Sequence, residues 1–233
     1  MSGTLYGVGL GPGDPELMTL KAARLIETAR VVAYPMLEGT PSFARQIAAG
    51  RIAPDAREIA MPVPMRLERG PAQAAYDAGA QAIAQVLDTG QDVTCLCEGD
   101  PFFYGSFMYL YARLAPRYRV EVVPGVTSLT AAATRAGRPL AARNEVVTVL
   151  PGPLPDAELE ARIDMAETVA VLKLGRHAGR VRDLAARRGW LDQSVYIGHA
   201  TLPKEHLCPL RQAPDRAPYF SLALICKVTD PWL

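Results

Sequence analysis

Residues 92–104 read DVTCLCEGDPFFY. The stretch begins as an apolar run over residues 93–97 and breaks sharply at Glu98-Gly99-Asp100-Pro101. A short apolar run ended by Gly and Pro predicts a buried strand whose carboxyl end opens into a loop. In open α/β sheets, loops in that position face the ligand crevice. Gly99 has no Cβ and so lets backbone approach a ligand closely. Pro101 holds Asp100 in an extended conformation.

Working outward, the same grammar repeats. Residues 5–10 alternate glycine with apolar side chains and run into Gly11-Pro12-Gly13-Asp14-Pro15, a first strand and a glycine-rich turn. From either Gly7 or Gly9 the third glycine of a dinucleotide fingerprint is replaced, by Pro12 or Asp14, and no phosphate loop is present. A nicotinamide enzyme is therefore disfavoured. Thr19 caps an expected helix with Leu20, Ala23, Leu25, Ile26 and Ala29 as its stripe. A strand over 31–34 is expected to stop at Pro35, a helix follows over 42–49, and a short strand over 57–59 precedes a Pro-rich segment. An alanine-rich helix spans 73–87, and Ser106 opens another to residue 114. Strands are then expected at 120–123, 146–150, 169–174, 195–197 and 220–228. Helices are expected at 129–136, from a cap at Asp156 to about 165, and at 178–188. Strands alternating with helices imply α/β architecture with parallel sheets covered on both faces.

At 233 residues the chain is comfortable for two domains. Ala115-Pro116-Arg117 is the linker candidate, dividing it into residues 1–115 and 119–233. Lys plus Arg total 25 against 24 acidic residues, so no global field draws the protein to nucleic acid or anionic lipid. No apolar run reaches the ~18 residues of a membrane helix, and the N-terminus lacks a basic n-region. Cys95, Cys97, Cys208 and Cys226 lack zinc-ligand spacing and read as small buried hydrophobes of a reducing cytoplasm, without a metal.

Three strand-end loops stand out: GLGPGDPELMT at 9–19, EGDPFFYGS at 98–106 and VPGVTS at 123–128. Their order and separation resemble the tetrapyrrole methylases, over nearly the whole chain. Longer stretches are most similar to the branch that methylates the C20 meso carbon of precorrin-2. These are residues 97–114, 121–151, LKLGRH at 172–177, HATLP at 199–203 and APYFSL at 217–222.

The resemblance implies two α/β domains, mixed or parallel in their sheets, with S-adenosylmethionine held in a cleft between them. The first domain would supply the acceptor side, the second the cofactor side and homodimer contacts. It implies cofactor contacts at Pro12, Gly99, Asp100, Phe103, Thr127, Ser128, Leu174 and Ala200, with the backbone of Leu174 and Ala200 bracketing adenine. The tetrapyrrole's carboxylates call for arginines, whose planar fork pairs bidentately. Arg66, Arg69, Arg138, Arg143, Arg176 and His177 are candidates, with Tyr104 as a further substrate contact. The acceptor must also lose a proton; Tyr104, Asp14 and Glu98 are base candidates by location, and no catalytic residue is assigned. Competing readings are a counterpart acting on the cobalt-bearing ring, another tetrapyrrole methylase, or a non-catalytic tetrapyrrole-binding protein.

Overall fold

The computed structural model describes residues 1–64 and 68–227, with the Arg69 side chain and all of Arg66 outside the described set. The chain divides into two compact units, residues 1–127 and 128–233.

The first unit runs β1 (Thr4–Gly9), α1 (Leu20–Glu27), β2 (Val31–Leu37), α2 (Phe43–Ala48), β3 (Arg57–Val63), α3 (Arg69–Leu87), β4 (Val93–Cys97), α4 (Phe107–Leu114) and β5 (Arg119–Val123). Its five strands lie in the order β3-β2-β4-β1-β5, every pairing parallel. Period-2 alternation divides the strand side chains between two cores. Val31, Ala33, Cys95 and Cys97 face α3 and α4, where Ile83, Leu87, Phe107 and Leu110 bury fully. Val8, Val32, Tyr34 and Leu96 face α1 and α2. Burying each large apolar side chain contributes about 1.5–3 kcal/mol.

The helices explain themselves locally. Thr19 Oγ1 accepts from Ala22 N at 3.1 Å and starts α1. Ser42 Oγ accepts from Arg45 N at 3.3 Å and starts α2. The α1 stripe differs from expectation: Ala22, Ala23 and Ile26 are buried, whereas Leu20 points to solvent. β2 also runs through Pro35 instead of stopping there. β4 pairs with β2 only at Val32 and Ala33, so no ladder demands the missing N–H. The Pro35 carbonyl accepts instead from Ser42 Oγ at 2.7 Å.

Residues 115–117 lie inside the first unit, because β5 adds to the first sheet beside β1. The local Pro-containing turn is real; the strand after it returns to the sheet the chain has just left.

The second unit runs α5 (Ser128–Ala136), β6 (Val147–Pro151), α6 (Asp156–Asp164), β7 (Thr168–Leu172), α7 (Ala178–Arg187), β8 (Val195–Gly198), β9 (His206–Pro209) and β10 (Ser221–Cys226). The sheet order is β6-β7-β10-β8-β9. β6 and β7 pair in parallel, and β10 is antiparallel to both its neighbours, β7 and β8. One face carries the core of Leu159, Ile163, Val169, Val171, Val181 and Leu184; α5 packs on β8 and β10. β9 has no counterpart in the expected elements, since four residues with Pro209 at their end leave little pattern. Pro155 is the cap residue of α6, and Asp156 is its first residue rather than its cap.

Cys95 and Cys97 are buried in the first core, and the hydrogen bond with Cys95, then burial, push the Cys97 thiol well up. Among the described residues no helix is long and apolar enough to cross a membrane.

Candidate functional site

β4, β1 and β5 are neighbours and parallel, so their carboxyl ends open at one edge of the first sheet. The loop after β1 leads to α1 on one face, and that after β4 leads to α4 on the other. Adjacent strands whose connections diverge in this way leave a crevice for a ligand. All three motif loops begin at this edge, including VPGVTS, which leaves β5 of the first unit. Thr127 is the last residue of that unit and Ser128 opens α5 in the second.

The three loops are locked to one another. Gly11 N donates to Gly99 O at 3.2 Å and Gly99 N to Gly11 O at 2.8 Å. Asp100 uses both carboxylate oxygens. Oδ1 accepts from Phe102 N at 2.9 Å and Phe103 N at 3.1 Å, and Oδ2 accepts from Gly125 N at 3.0 Å. One side chain thereby shapes its own loop and ties it to the end of β5. Glycine is required at the crossing: a Cβ on Gly125 would lie 2.0 Å from Gly99 O and 2.9 Å from Gly9 Cα. Gly99 itself has φ +63°, and its Cβ position meets nothing within 4 Å. Bare backbone therefore faces open space at the centre of the clasp.

Around it, Pro12 and Phe103 are half-buried. Tyr104 is exposed at φ +57° with its ring edge-on to Phe103. Asp14 Oδ1 accepts from Glu16 N at 2.9 Å, ordering the short turn before α1. Glu98, the third base candidate, directly follows β4. Burial raises its pKa, against the opposing pull of its own N–H and that of Ala44.

In the second unit the ends of β6, β7 and β8 and the start of β10 share one edge. Their loops are laced by Gly152 N to Leu172 O at 2.7 Å, Leu174 N to Ser221 O at 3.5 Å and His199 N to Phe220 O at 2.7 Å. Arg180 on α7 donates to the Leu154 carbonyl at 3.0 Å, and also to the Gly152 carbonyl and Asp156. Leu174 and Ala200 thus flank the start of β10. Leu174 is fully buried in the core, backbone included. Ala200 is half-buried. Lys173, His199 and Thr201 all have positive φ, at 57°, 52° and 69°.

Arg176 is exposed and His177 half-buried in the turn before α7. Burial, then Arg180 and Arg176, lower the His177 pKa, so its imidazole is neutral at pH 7. Arg143 is exposed at φ +50° before β6, and Arg138 is half-buried just after α5.

Sequence reasoning missed the pairing of Gly9 with Gly125 and the ion pair of Arg135 with Glu205. Partners 116 and 70 positions apart leave no local pattern to read.

A two-unit α/β chain with glycine-locked loops at a strand-end crevice has known counterparts. Residues 4–213 match the family model of the Tetrapyrrole (Corrin/Porphyrin) Methylases, and the chain belongs to that family. Its sequence is 40% identical to a precorrin-2 C(20)-methyltransferase from Sinorhizobium sp, over 96% of this chain and 95% of the relative. It is 29% identical to a cobalt-precorrin-2 C(20)-methyltransferase from Salmonella typhimurium, over 97% and 98% of the two chains. A uroporphyrin-III C-methyl transferase from Thermus thermophilus, solved with S-adenyl homocysteine, superposes with a TM-score of 0.68 at 27% identity. That match covers 97% of this chain and 92% of the other.

Proposed function

We propose that this protein transfers a methyl group from S-adenosylmethionine to the C20 meso carbon of precorrin-2. The products are precorrin-3A and S-adenosylhomocysteine, in a step of cobalamin biosynthesis. The observation that carries the reading is 40% identity, across 96% of this chain, to a relative of that activity. The lower 29% identity to the relative named for the cobalt-bearing substrate favours the metal-free ring.

The sulfonium donor supplies an electrophilic methyl when bound. In-line displacement then requires attacking carbon, methyl and departing sulfur to be collinear. The protein's part is positioning, which can account for roughly 7–11 kcal/mol of barrier. One observation fits such a donor: Gly99 offers unobstructed backbone beside Asp100. We assign Pro12, Gly99, Asp100 and Phe103 in the first unit to donor contacts, with Thr127, Ser128, Leu174 and Ala200. Asp100 acts chiefly by shaping its loop, since backbone N–H groups already occupy both its oxygens. Tyr104, Arg143, Arg176 and His177 are assigned to the acceptor, the two arginines to its carboxylates, where charge-assisted bonds are strongest.

The first unit is taken as the acceptor side, the second as the cofactor side and the source of dimer contacts. We place the enzyme in the cytoplasm as a homodimer that uses no metal, nucleic acid or membrane. The near-neutral charge supports the absence of nucleic-acid and membrane partners, and the sulfonium needs no Lewis acid to make methyl electrophilic. The test is transfer of carbon-13 methyl from S-adenosylmethionine to precorrin-2, with the product's regiochemistry read by NMR. Label at C20 is expected. Label at another carbon would discard the C20 assignment but keep the class, and binding of precorrin-2 without transfer would favour a carrier.

A further inference from the structure

Tyr104 stands in the loop after β4 with φ +57°. Left-handed backbone is uncommon outside glycine, and for a bulky residue it is a genuine outlier. The loop around it is clamped at both ends. Upstream, Asp100 accepts from Phe102 N, Phe103 N and Gly125 N. Downstream, Gly105 is packed so closely that a Cβ would lie 2.5 Å from the carbonyl oxygens of both Asp100 and Pro101. The next residue, Ser106, is hydrogen-bonded to the buried Tyr76 of α3. Strain of this kind persists only where the surroundings over-determine it.

Two other left-handed positions in the motif loops, Gly11 and Gly99, carry glycine, which adopts that backbone without a Cβ penalty. Residue 104 instead carries a large ring and is left 42% exposed. Neither backbone preference nor burial therefore favours tyrosine here. Phe103 meets the ring edge-on at 5.2 Å and 79° and steadies it. Phe102, the exposed phenylalanine of the loop, lies edge-on at 5.1 Å against Tyr111 of α4. Tyr104 is thus the ring set beside Phe103, which is assigned to the donor.

We infer that Tyr104 is held in this strained backbone to present its ring face, ahead of binding, to the conjugated macrocycle of the acceptor. The inference rests on the reading of the chain as a tetrapyrrole methyltransferase, and adds the part of the acceptor that Tyr104 meets. A tetrapyrrole is a broad, largely apolar macrocycle rimmed by carboxylates. Arginines answer the rim, whereas the face of the macrocycle needs an apolar surface already in place. An aromatic ring supplies a large contact area and loses little freedom, having few torsions to fix. A ring oriented before the ligand arrives loses less still. Beside Phe103, a macrocycle resting on Tyr104 lies next to the donor, where methyl transfer requires alignment.

The test compares Tyr104→Gly, Tyr104→Leu and Tyr104→Phe with wild type in the full chain. Tyr104→Gly suits the left-handed turn, so its urea midpoint should equal or exceed that of wild type. Its affinity for precorrin-2, by anaerobic absorbance titration, should nevertheless fall about 10- to 100-fold, as for loss of an aromatic stacking partner. Its affinity for S-adenosylhomocysteine, by calorimetry, should not change. Tyr104→Phe restores the ring and should recover most of the precorrin-2 affinity, and Tyr104→Leu, apolar but without a ring, should fall between. Undiminished precorrin-2 affinity in Tyr104→Gly, or a lowered urea midpoint, would overturn the inference while leaving the methyltransferase reading intact. A change in sedimentation alone would make the ring a contact between copies of the chain, with the same consequence. A loss in Tyr104→Phe as large as in Tyr104→Gly would move the contact to the hydroxyl and overturn the ring-face assignment. Wild type that binds no precorrin-2 would bring down the acceptor reading and this inference together.

Discussion

At the crevice edge of the first sheet, loops meet backbone to backbone: Gly9 and Gly125 lie where side chains would collide, and Asp100 joins two of the loops. At the strand ends of the second unit, the turning residues are Lys173, His199 and Thr201, none of them glycine. There Arg135 braces the Thr201 turn through Glu205, and Arg180 ties down the neighbouring 152–154 carbonyls. The first arrangement is rigid because nothing larger fits. The second is rigid because ion pairs on partly solvated side chains tie the turns down, so it should weaken more with added salt than the first.

Substitutions can break that contrast, and the largest effect is expected at the glycine crossing. Gly125→Ala places a carbon 2.0 Å from a carbonyl oxygen, with only backbone to move aside. It should cost about 3 kcal/mol or more, or abolish folding, as measured by urea denaturation. Next comes Asp100→Ala, which removes the acceptor for three backbone N–H groups. A loss of about 2 kcal/mol is expected in the same assay. S-adenosylhomocysteine should also bind more weakly by calorimetry; unchanged affinity would take Asp100 off the list of donor contacts.

Smaller effects should come from the second unit. Arg180→Met leaves the Leu154 carbonyl without its guanidinium donor and should lower stability by about 1–2 kcal/mol. Glu205→Gln should have the smallest effect at neutral pH, because Arg135 is largely solvated and its attraction screened. Its signature is instead the pH dependence. Arg135, aided by the Thr201 N–H and opposed by burial, holds the Glu205 pKa below its ordinary 4.5. A carboxylate so lowered stabilises the fold above its unfolded pKa, and that contribution fades as pH falls through the folded value. The gap between wild type and Glu205→Gln should therefore be full at pH 7 and close below the ordinary carboxylate range. A gap that persists unchanged at pH 3 would show that packing, not charge, holds the turn.

Much of the fold was legible along the chain. The β4 stretch reads correctly to the residue, because five buried residues in a row before Glu-Gly-Asp-Pro leave little alternative. Thr19 and Ser42 announce their helices, since a capping oxygen acts on amides only three residues ahead. Misreadings fell where neighbours in space override neighbours in sequence. Pro35 does not end β2 because β4 has already left that edge, and Leu20 points outward while Ala22 is buried. The turn at 115–117 looked like a boundary, yet β5 returns to pair with β1. The candidate site divides in the same way: its loops were visible as motifs, but the hydrogen bonds of Asp100 to Gly125 were not.

By itself the amino-acid order determined the α/β alternation, the strand-end loops and the family resemblance, all of them matters of short-range spacing. Tertiary structure alone decided that VPGVTS leaves the first sheet, that Gly9 and Gly125 nearly touch, and that Arg135 pins Glu205. The reason is range. Period, capping and turn chemistry act over a few residues and write themselves into the sequence, whereas a contact between residues 70 or more apart exists only once the sheets have formed.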